Sequence, residues 1–324
     1  MGKYRTRLPQ TDGQLFLTDG GLETTLIFDD GIELPDFAAF DLFREGKGTR
    51  ALHEYYRRYA SIARDNAVGL ILESATWRAS SDWALRLGYT ARGLADANRA
   101  SIQMLERVRD EFESERAPMV ISGCIGPRGD GYSVSTKMTV SEASRYHAIQ
   151  ANTFQATEAD LITGITMTHV EEAIGVVRAA QAVCMPVVIS FTTEIDGRLP
   201  SGQALRDAIE QVDSVTDSAP VYYMVNCAHP THFEDALDPG SAWTGRIRGI
   251  RANASTKSHA ALDEATELDS GDPLALGEQY RVLLERHNQL NVVGGCCGTD
   301  YRHVEAIYRA CTAEADLLRC ANLR

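Results

Sequence analysis

The strongest constraint on the fold is the repeated alternation of short apolar runs with longer amphipathic segments along the 324 residues of the chain. Short apolar runs bounded by turn residues predict buried strands, and segments with a period near 3.6 predict helices. The predicted strands, some with the turn that follows, cover residues 15–21, 69–74, 118–124, 160–166, 186–192, 221–227, 247–254 and 291–294. The predicted helices cover residues 52–64, 90–115, 140–157, 169–182, 202–214, 273–289 and 301–318.

This order of elements predicts an α/β fold, a (β/α)8 TIM barrel that occupies residues 1–324 as a single domain. A doubly wound open sheet is the alternative, because periodicity alone does not show whether a parallel sheet closes on itself. The chain contains no short repeat, no low-complexity segment and no linker-like stretch that would divide it.

The most informative local motif follows the last predicted strand, where two glycines lead into an adjacent cysteine pair, Cys296 and Cys297. Neighbouring side chains on a regular strand point to opposite faces, so both thiols can face one metal only if the chain turns there. The flanking glycines permit that turn. Cys227 ends the sixth predicted strand, and three protein ligands with an open fourth position are typical of catalytic zinc. The alternatives are cysteines packed as small apolar side chains, or a redox pair formed by Cys296 and Cys297.

Composition and charge exclude several classes of function. A formal net charge of −13 argues against general binding of nucleic acids or anionic membranes. No apolar run reaches membrane-spanning length, and no apolar segment follows the basic first residues as in a secretory signal. Seven irregularly spaced cysteines favour reduced thiols in a cytoplasmic protein. Four of them are expected to pack as small apolar side chains: Cys124, Cys184, Cys311 and Cys320. A homo-oligomer is compatible with the sequence, which does not fix the oligomeric state.

Polar residues stand where two other predicted strands end, Asp19 after the first and Glu73 at the second. In a parallel barrel the carboxyl ends of all strands open on one face, which carries the chemistry. Strands one and eight are neighbours on closure, so Asp19 is expected beside the cysteine pair as a substrate contact. Asp19 as a turn cap and Glu73 in a structural salt bridge are the alternative interpretations.

Taken together, these motifs resemble the homocysteine S-methyltransferase family, which includes betaine- and S-methylmethionine-dependent enzymes. The resemblance rests on Asp19-Gly20-Gly21, on Val225-Asn226-Cys227 and on Gly294-Gly295-Cys296-Cys297-Gly298. Weaker matches lie at residues 76–80, 123–127, 190–191 and 253. The matching segments occur in the family's order over nearly the whole chain.

The resemblance implies a zinc-dependent S-methyltransferase in which Cys227, Cys296 and Cys297 hold Zn2+. The implied partners are a small thiol, homocysteine or a relative, and a sulfonium or quaternary ammonium donor of the methyl group. Asp19, Glu73 and Asn226 are expected at the substrate site, with Asn226 fixing the backbone around the ligand loop. Trp77 and Tyr89 are candidates to face the donor's positive charge. A corrinoid-dependent enzyme would need further modules, so a small-molecule donor used directly is expected.

One departure from the family pattern concerns the binding of the amino group. Family members usually carry a glutamate after strand four that holds the ammonium of homocysteine, and this chain has Ile165 there. Glu73 is a candidate to supply the missing charge. Arg78 stands where the family commonly has an aromatic residue. The missing carboxylate motivates a second hypothesis, a non-catalytic zinc-stabilised barrel that acts as a binding or regulatory protein.

Overall fold

The computed structural model describes the backbone of residues 1–134 and 137–321 and the side chains through residue 313. Its strands are β1 Phe16–Leu17, β2 Gly69–Glu73, β3 Met119–Ile125, β4 Leu161–Met167, β5 Val187–Thr192, β6 Tyr223–Asn226, β7 Ile247–Ala252 and β8 Val292–Gly295. All neighbouring strands are parallel, and they form a closed barrel in chain order. β1 completes the closure by pairing with both β2 and β8. The predicted (β/α)8 barrel is confirmed, and the open doubly wound sheet is excluded.

Helices alternate with the strands and surround the barrel. They are α1 Leu22–Thr24, α2 Gly46–Asp65, α3 Ser81–Arg86, α4 Ala91–Phe112, α5 Val140–Gln155, α6 Val170–Ala182, α7 Leu205–Thr216, α8 Pro230–Phe233, α9 His259–Asp263, α10 Pro273–Arg286 and α11 Tyr301–Ala321. The seven predicted helices correspond to α2, α4, α5, α6, α7, α10 and α11. The sequence analysis missed α1, α3, α8 and α9, because three to six residues are too few to show a helical period.

Side-chain caps determine where several of these helices begin. Thr90 accepts a hydrogen bond from the backbone N–H of Gly93 at the start of α4, as predicted. Thr139 and Glu142 form a capping box at the start of α5, in which each side chain bonds to the other residue's backbone N–H. Such caps satisfy N–H groups that have no partner inside the helix, each contributing about 1 kcal/mol.

The side chains inside the barrel form layers, and the order of these layers shows at which end of the barrel polar chemistry is located. An apolar layer lies in the lower half of the barrel and comprises Leu8, Phe16, Ile71, Val120, Leu161, Val188, Tyr222, Met224 and Val292. Side chains alternate along a strand, so the next inward position lies two residues later. These next positions are polar and comprise Glu73, Ser122, Thr163, Ser190 and Asn226, all buried. The barrel therefore has an apolar base beneath a polar floor, and that floor faces the carboxyl ends of the strands.

The N-terminal segment covers the opposite end of the barrel. Leu8 packs into the apolar layer, and the side chain of Asn291, just before β8, donates to the backbone oxygens of Gln10 and Gln14. The backbone N–H of Tyr4 donates to Asp160, just before β4. Within the described residues, no helix combines the length and apolarity that crossing a lipid bilayer requires.

Candidate functional site

The turn after β8 is built from glycines because there is no room for side chains. A β-carbon on Gly294 would overlap Thr18, and one on Gly295 would overlap Thr299. Gly298 adopts a φ of 78°, in the left-handed region that favours glycine. The backbone N–H of Cys296 donates to the oxygen of Ala252, which ties the turn to β7. This compact turn presents Cys296 and Cys297 at the mouth of the barrel.

Cys227 directly follows β6 and has an unusual backbone conformation. Its φ is 54°, which few residues other than glycine adopt. Two side chains hold its carbonyl oxygen: Asn253 Nδ2 at 3.0 Å and His259 Nε2 at 2.6 Å. Left-handed backbone costs on the order of 1 kcal/mol and persists where surrounding contacts enforce it. The strained turn aims the Cys227 sulfur toward the cysteine pair.

The three sulfur atoms come together as the sequence predicts. Cys227 Sγ lies 2.6 Å from Cys296 Sγ and 3.9 Å from Cys297 Sγ, and all three atoms lie within 4.8 Å of one another. Sulfur ligands about 2.3 Å from a tetrahedral zinc would lie about 3.8 Å apart. A set of three converging thiols is the donor set that zinc prefers, so these residues fit the metal. Their sulfurs are free of disulfide bonds.

The cysteine cluster concentrates negative charge on Cys296. Hydrogen bonds with Cys227 and Cys297 lower the pKa of Cys296, and the nearby positive charge of Arg251 lowers it further. The same hydrogen bonds and burial raise the pKa of Cys227. The phenol of Tyr132 donates to Cys297 Sγ at 3.3 Å. Thiolate, the form that binds metal, is therefore favoured at Cys296, whereas the pKa of Cys227 and that of Cys297 are raised within the same cluster.

Asp19 lies beside the cysteine turn, where closure of the barrel was expected to place it. Its backbone oxygen accepts from Gly295 N at 2.9 Å. Its carboxylate forms a buried ion pair with Arg251 at 2.5 Å and accepts from the hydroxyl of Tyr55 at 3.0 Å. Burial raises the pKa of Asp19, and the charge of Arg251 opposes that shift. Asp19 is therefore already paired within the protein, although it lines the cavity described below.

Glu73 lies in the polar floor, and its carboxylate, unlike that of Asp19, has no hydrogen-bond partner among the described residues. The residue is 4% exposed, and neither carboxylate oxygen has a hydrogen-bond partner among the described residues. Burial raises the pKa of Glu73 to about 7, and the charge of Arg251 opposes this shift. A carboxyl group in this state binds a proton or a cation readily near neutral pH.

Asn226 bonds entirely to the protein. Its amide oxygen accepts from Thr166 N at 3.0 Å and from the Ser190 hydroxyl at 2.6 Å. Its amide nitrogen donates to Thr166 Oγ1 at 2.8 Å and lies 3.9 Å from Cys296 Sγ. Thr166 has a φ of 63°, so Asn226 stabilises a second strained turn, beside Ile165. Its hydrogen bonds fix the backbone of β4 at Thr166, and its contact with the cysteines is the one with Cys296 Sγ.

A cavity of about 550 Å3 connects the cysteines with the other candidate residues. Its lining includes Asp19, Glu23, Glu73, Trp77, Arg78, Asp130, Tyr132, Ile165, Cys227, Arg251, Asp263, Glu267, Asp269, Cys296 and Cys297. Ile165 presents an apolar side chain to it, as predicted from the sequence. Asn226 does not line the cavity, because Thr166 and Cys296 cover it.

Two sequence-based expectations are corrected here. Tyr89 was a candidate to face the donor, but its ring packs against Phe40 at 5.1 Å and beneath Arg44 at 3.9 Å, outside the cavity lining. Cys184 was expected to pack as a small apolar side chain, in the interior or in a turn; it lies in the turn after α6, but it is exposed there. Cys124 is buried and lines the cavity. The side chain of Cys320 lies outside the described residues.

The sequence analysis missed three residues that the structure brings to the site, Glu23, Tyr132 and Arg251. Glu23 lies on the short helix α1, and burial raises its pKa to about 7. Tyr132 follows β3 and stacks on His259 with ring centroids 4.2 Å apart. The inward position of Arg251 on β7 was a usable signal, because a charged residue inside a barrel strand needs a partner.

Comparisons with known proteins agree with this geometry. A family model described as homocysteine S-methyltransferase matches residues 16–311. No match to the chain is found among curated protein sequences. Among solved structures, the chain is similar to the homocysteine methyltransferase MmuM from Escherichia coli in its oxidized, metallated and apo forms.

The similarity to MmuM extends over almost the full length of both proteins. The oxidized form is 17% identical with a TM-score of 0.71, covering 93% of this chain and 97% of that one. The metallated form is 16% identical with a TM-score of 0.70, covering 94% and 98%. The apo form is 17% identical with a TM-score of 0.66, covering 94% and 98%. At these identities the structural likeness shows a shared fold.

Proposed function

The chain belongs to the homocysteine S-methyltransferase family, and from this premise we propose that it methylates homocysteine or a related small thiol. The proposed methyl donor is a small sulfonium or quaternary ammonium compound, and the proposed cofactor is zinc held by Cys227, Cys296 and Cys297. The observation that carries the proposal is the convergence of three thiols, within 4.8 Å, on the wall of a substrate-sized cavity. That MmuM was solved in a metallated form supports a metal at the equivalent place.

When bound, zinc would supply a Lewis acid that lowers the pKa of the substrate thiol, so that a reactive thiolate exists at neutral pH. Side chains around the cysteine cluster can stabilise the negative charge of these thiolates. Arg251 places a buried guanidinium near Cys296, which offsets part of the negative charge of the cysteine cluster. Tyr132 donates a hydrogen bond to Cys297, and Asn226 holds the backbone of β4 at Thr166 while its amide nitrogen lies 3.9 Å from Cys296 Sγ. Such outer contacts orient metal ligands and tune their basicity.

Glu73 is the group best placed to bind the ammonium of an amino-acid thiol. It is buried in the floor of the cavity, and its two oxygens have no partner among the described residues. A bound ammonium would supply the missing hydrogen bonds and favour the ionised carboxylate. Asp19 contributes indirectly, because its ion pair holds Arg251 in place. In this way Glu73 replaces the carboxylate that Ile165 lacks.

The methyl donor must reach the thiolate with its positive charge intact. The cavity suits this requirement, since its lining contains seven acidic residues and two arginines. Asp19, Glu23 and Glu73 are among the acids, while Asp19 already neutralises Arg251. Transfer of the methyl group to the substrate thiolate turns the sulfonium centre of a sulfonium donor into an uncharged thioether, which the same acidic surroundings hold less tightly. This difference favours release of the product after each turnover.

A methyl-transfer screen tests the proposal directly. Zinc-loaded protein is incubated with homocysteine and, separately, with cysteine or 2-mercaptoethanol. Each thiol is paired with betaine, S-methylmethionine or dimethylsulfoniopropionate, and the products are measured by mass spectrometry. We expect S-methylation of homocysteine by at least one donor. Failure of every pair, with the barrel folded and zinc bound, would refute the proposed activity and favour a non-catalytic binding protein.

Chelation separates the catalytic role of the metal from a structural role. The cysteine cluster lies at the mouth of a barrel whose apolar layer and helices pack without it. We therefore expect chelation to remove methyl transfer while far-ultraviolet circular dichroism stays unchanged. Unfolding on chelation would show a structural zinc instead.

The remaining sequence-based expectations stay predictions. They are a single domain over residues 1–324, a cytoplasmic location, no nucleic-acid partner and a homo-oligomeric assembly. Size-exclusion chromatography with light scattering tests the last of these.

A further inference from the structure

The backbone of Cys227 is held on both sides by groups from other parts of the chain. Its N–H donates to a backbone oxygen of β7 at 3.2 Å, and its carbonyl oxygen accepts from Asn253 and His259. Cys296 differs, because its carbonyl oxygen accepts from Thr299 within the same turn. The direction of the Cys227 side chain therefore depends on residues that are remote in the sequence.

His259 is the first residue of α9, and its side chain is buried. Its Nε2 lies 2.6 Å from the Cys227 oxygen, closer than the Nδ2 of Asn253 at 3.0 Å. A carbonyl oxygen only accepts hydrogen bonds, so Nε2 carries a hydrogen and donates it. Ser258 caps α9 by accepting from the N–H of Ala261, which fixes the backbone where His259 lies. The segment after β7 thus donates a hydrogen bond to the turn after β6.

Two further contacts fix the orientation of the His259 ring. Its Nδ1 lies 3.3 Å from Oε1 of Glu194, in the turn after β5. Its face stacks on Tyr132, with ring centroids 4.2 Å apart and the two planes 16° from parallel. The partner of one ring nitrogen determines where the other nitrogen points. Glu194 and Tyr132 together therefore aim the Nε2 of His259 at its acceptor.

The stacked rings also connect the two turns that carry the cysteines. The phenol of Tyr132 donates to Cys297 Sγ at 3.3 Å, while His259 donates to the backbone of Cys227. The two rings therefore form a continuous contact from the turn after β6 to the turn after β8. Because closely packed side chains transmit displacements, a shift of His259 would also disturb Tyr132.

From these contacts we infer that His259 is a positioning residue, which sets the direction of the Cys227 thiol while Glu194 orients its ring. This role rests on the proposed zinc held by Cys227, Cys296 and Cys297. His259 acts through the Cys227 carbonyl oxygen and supplies no ligand of its own. Without this donor, the left-handed backbone of Cys227 can relax and turn its sulfur away from the other two. Three thiols that converge less well would bind a metal less tightly.

Two substitutions separate the hydrogen bond of His259 from its ring. His259→Phe keeps a ring to stack on Tyr132 but removes the N–H, and we expect zinc to bind about 10-fold more weakly. A larger decrease is not expected, because Asn253 still donates to the same oxygen. His259→Gln loses the ring but keeps an N–H donor, so its zinc affinity should stay within about 3-fold of wild type. Competition with a chromophoric chelator measures these affinities in the full-length chain.

Cobalt binding provides a readout that is independent of enzymatic activity. Zn2+ has a filled d shell, whereas Co2+ absorbs light in a way that depends on its ligands and their geometry. We expect His259→Phe to weaken the thiolate-to-cobalt charge-transfer absorption of the Co2+-loaded protein. His259→Gln should keep the wild-type spectrum. Recovery by glutamine would show that the N–H, and not the bulk of the ring, positions the thiol.

Glu194→Ala tests the orienting contact, and His232→Phe is the matched control. Glu194→Ala removes the partner of Nδ1 but keeps the stack on Tyr132, so we expect zinc to bind about 3-fold more weakly. The Nε2 of His232 also bonds to a backbone oxygen, but to that of Thr256 instead of that of Cys227. His232→Phe should therefore leave the zinc affinity and the cobalt spectrum unchanged. Circular dichroism verifies that each variant is folded.

The outcomes for the positioning role and for the proposed function are separable. Weaker zinc binding by His259→Phe, with recovery in His259→Gln, supports the role even if no methyl transfer occurs. Unchanged affinity in His259→Phe, or equal losses in both variants, would overturn it while zinc bound by the wild-type protein leaves the proposed metal site intact. If His259→Phe does not fold, Glu194→Ala decides, and an unchanged affinity there would overturn the role. A wild-type protein that binds neither zinc nor cobalt would overturn the role and the metal site together.

Discussion

The two ends of the cavity differ in how the protein satisfies its own polar groups. At the cysteine end, Asn226 makes three hydrogen bonds shorter than 3.1 Å, and Asp19 is paired with Arg251 and Tyr55, while Arg251 Nη1 alone of these groups has no partner among the described residues. Elsewhere in the cavity, Glu73, Trp77 and Arg78 keep buried polar atoms without partners among the described residues. The first arrangement holds the residues around the three converging thiols in place. The second leaves hydrogen-bonding capacity for a ligand, which lowers the stability of the free protein.

The largest effect is expected from replacing one of the three clustered cysteines. Cys297→Ser removes one of three sulfur ligands, so we expect loss of bound zinc and a decrease of more than about 100-fold in methyl transfer. Metal content by mass spectrometry and initial rates measure both. Cys184→Ser is the control, because Cys184 is exposed and remote from the cluster. A Cys297→Ser protein with full zinc and activity would exclude the proposed ligand set.

The two arginines provide the next test of the comparison. Arg251→Met leaves the buried Asp19 carboxylate without its counterion, and we expect the free energy of unfolding to decrease by about 3–5 kcal/mol. Arg78→Met breaks one hydrogen bond, to Gly129, and the stacking of the cation on Trp77 and Trp83, and should cost about 2 kcal/mol. Urea unfolding monitored by circular dichroism measures both. Equal decreases in the free energy of unfolding would show that Arg251 and Arg78 are equally well paired within the protein.

Glu73 should make stability depend on pH in a defined direction. Its carboxyl group ionises near 4.5 in the unfolded chain and near 7 when folded, so the folded state binds its proton more tightly. The stability that this group contributes is complete below pH 4.5 and decreases as the pH rises to 7. Glu73→Gln removes this decrease in stability with rising pH, because glutamine does not ionise. The variant should match wild type at pH 4 and exceed it by up to about 3 kcal/mol at pH 8.

Urea unfolding at several pH values measures this difference. Glu54→Gln is a suitable control, because Glu54 is exposed on α2. A wild-type protein that is no less stable than Glu73→Gln at pH 8 would mean that Glu73 already has a partner in the free protein.

The smallest effect is expected at the edge of the metal site. Tyr132→Phe removes the hydrogen bond to Cys297 Sγ and should weaken zinc binding by about 10-fold. Competition with a chromophoric chelator measures the affinity. Tyr4→Phe is the matched control, because its hydroxyl bonds to Glu113 at the other end of the barrel. Unchanged zinc affinity in Tyr132→Phe would show that the phenol only fills space.

The fold and the convergence of the three thiols followed from the sequence for a simple physical reason. In a parallel barrel every strand ends on the same face, so residues at strand ends converge even when they are far apart in the chain. Cys227 and Cys296 are 69 residues apart, yet each directly follows a predicted strand. The glycines next to Cys296 indicated the turn, because a side chain there would collide with Thr18 or Thr299.

The pairing of the remaining polar residues was decided by the tertiary structure alone. Asp19 and Arg251 are 232 positions apart, and Tyr132 reaches Cys297 across 165. No local period or motif encodes which distant side chain satisfies a buried charge; that depends on how the strands are arranged around the closed barrel. Sequence therefore determined the barrel and its three thiols. Closure of the barrel determined that Arg251 is paired with Asp19, whereas Arg78 forms no ion pair within the described residues.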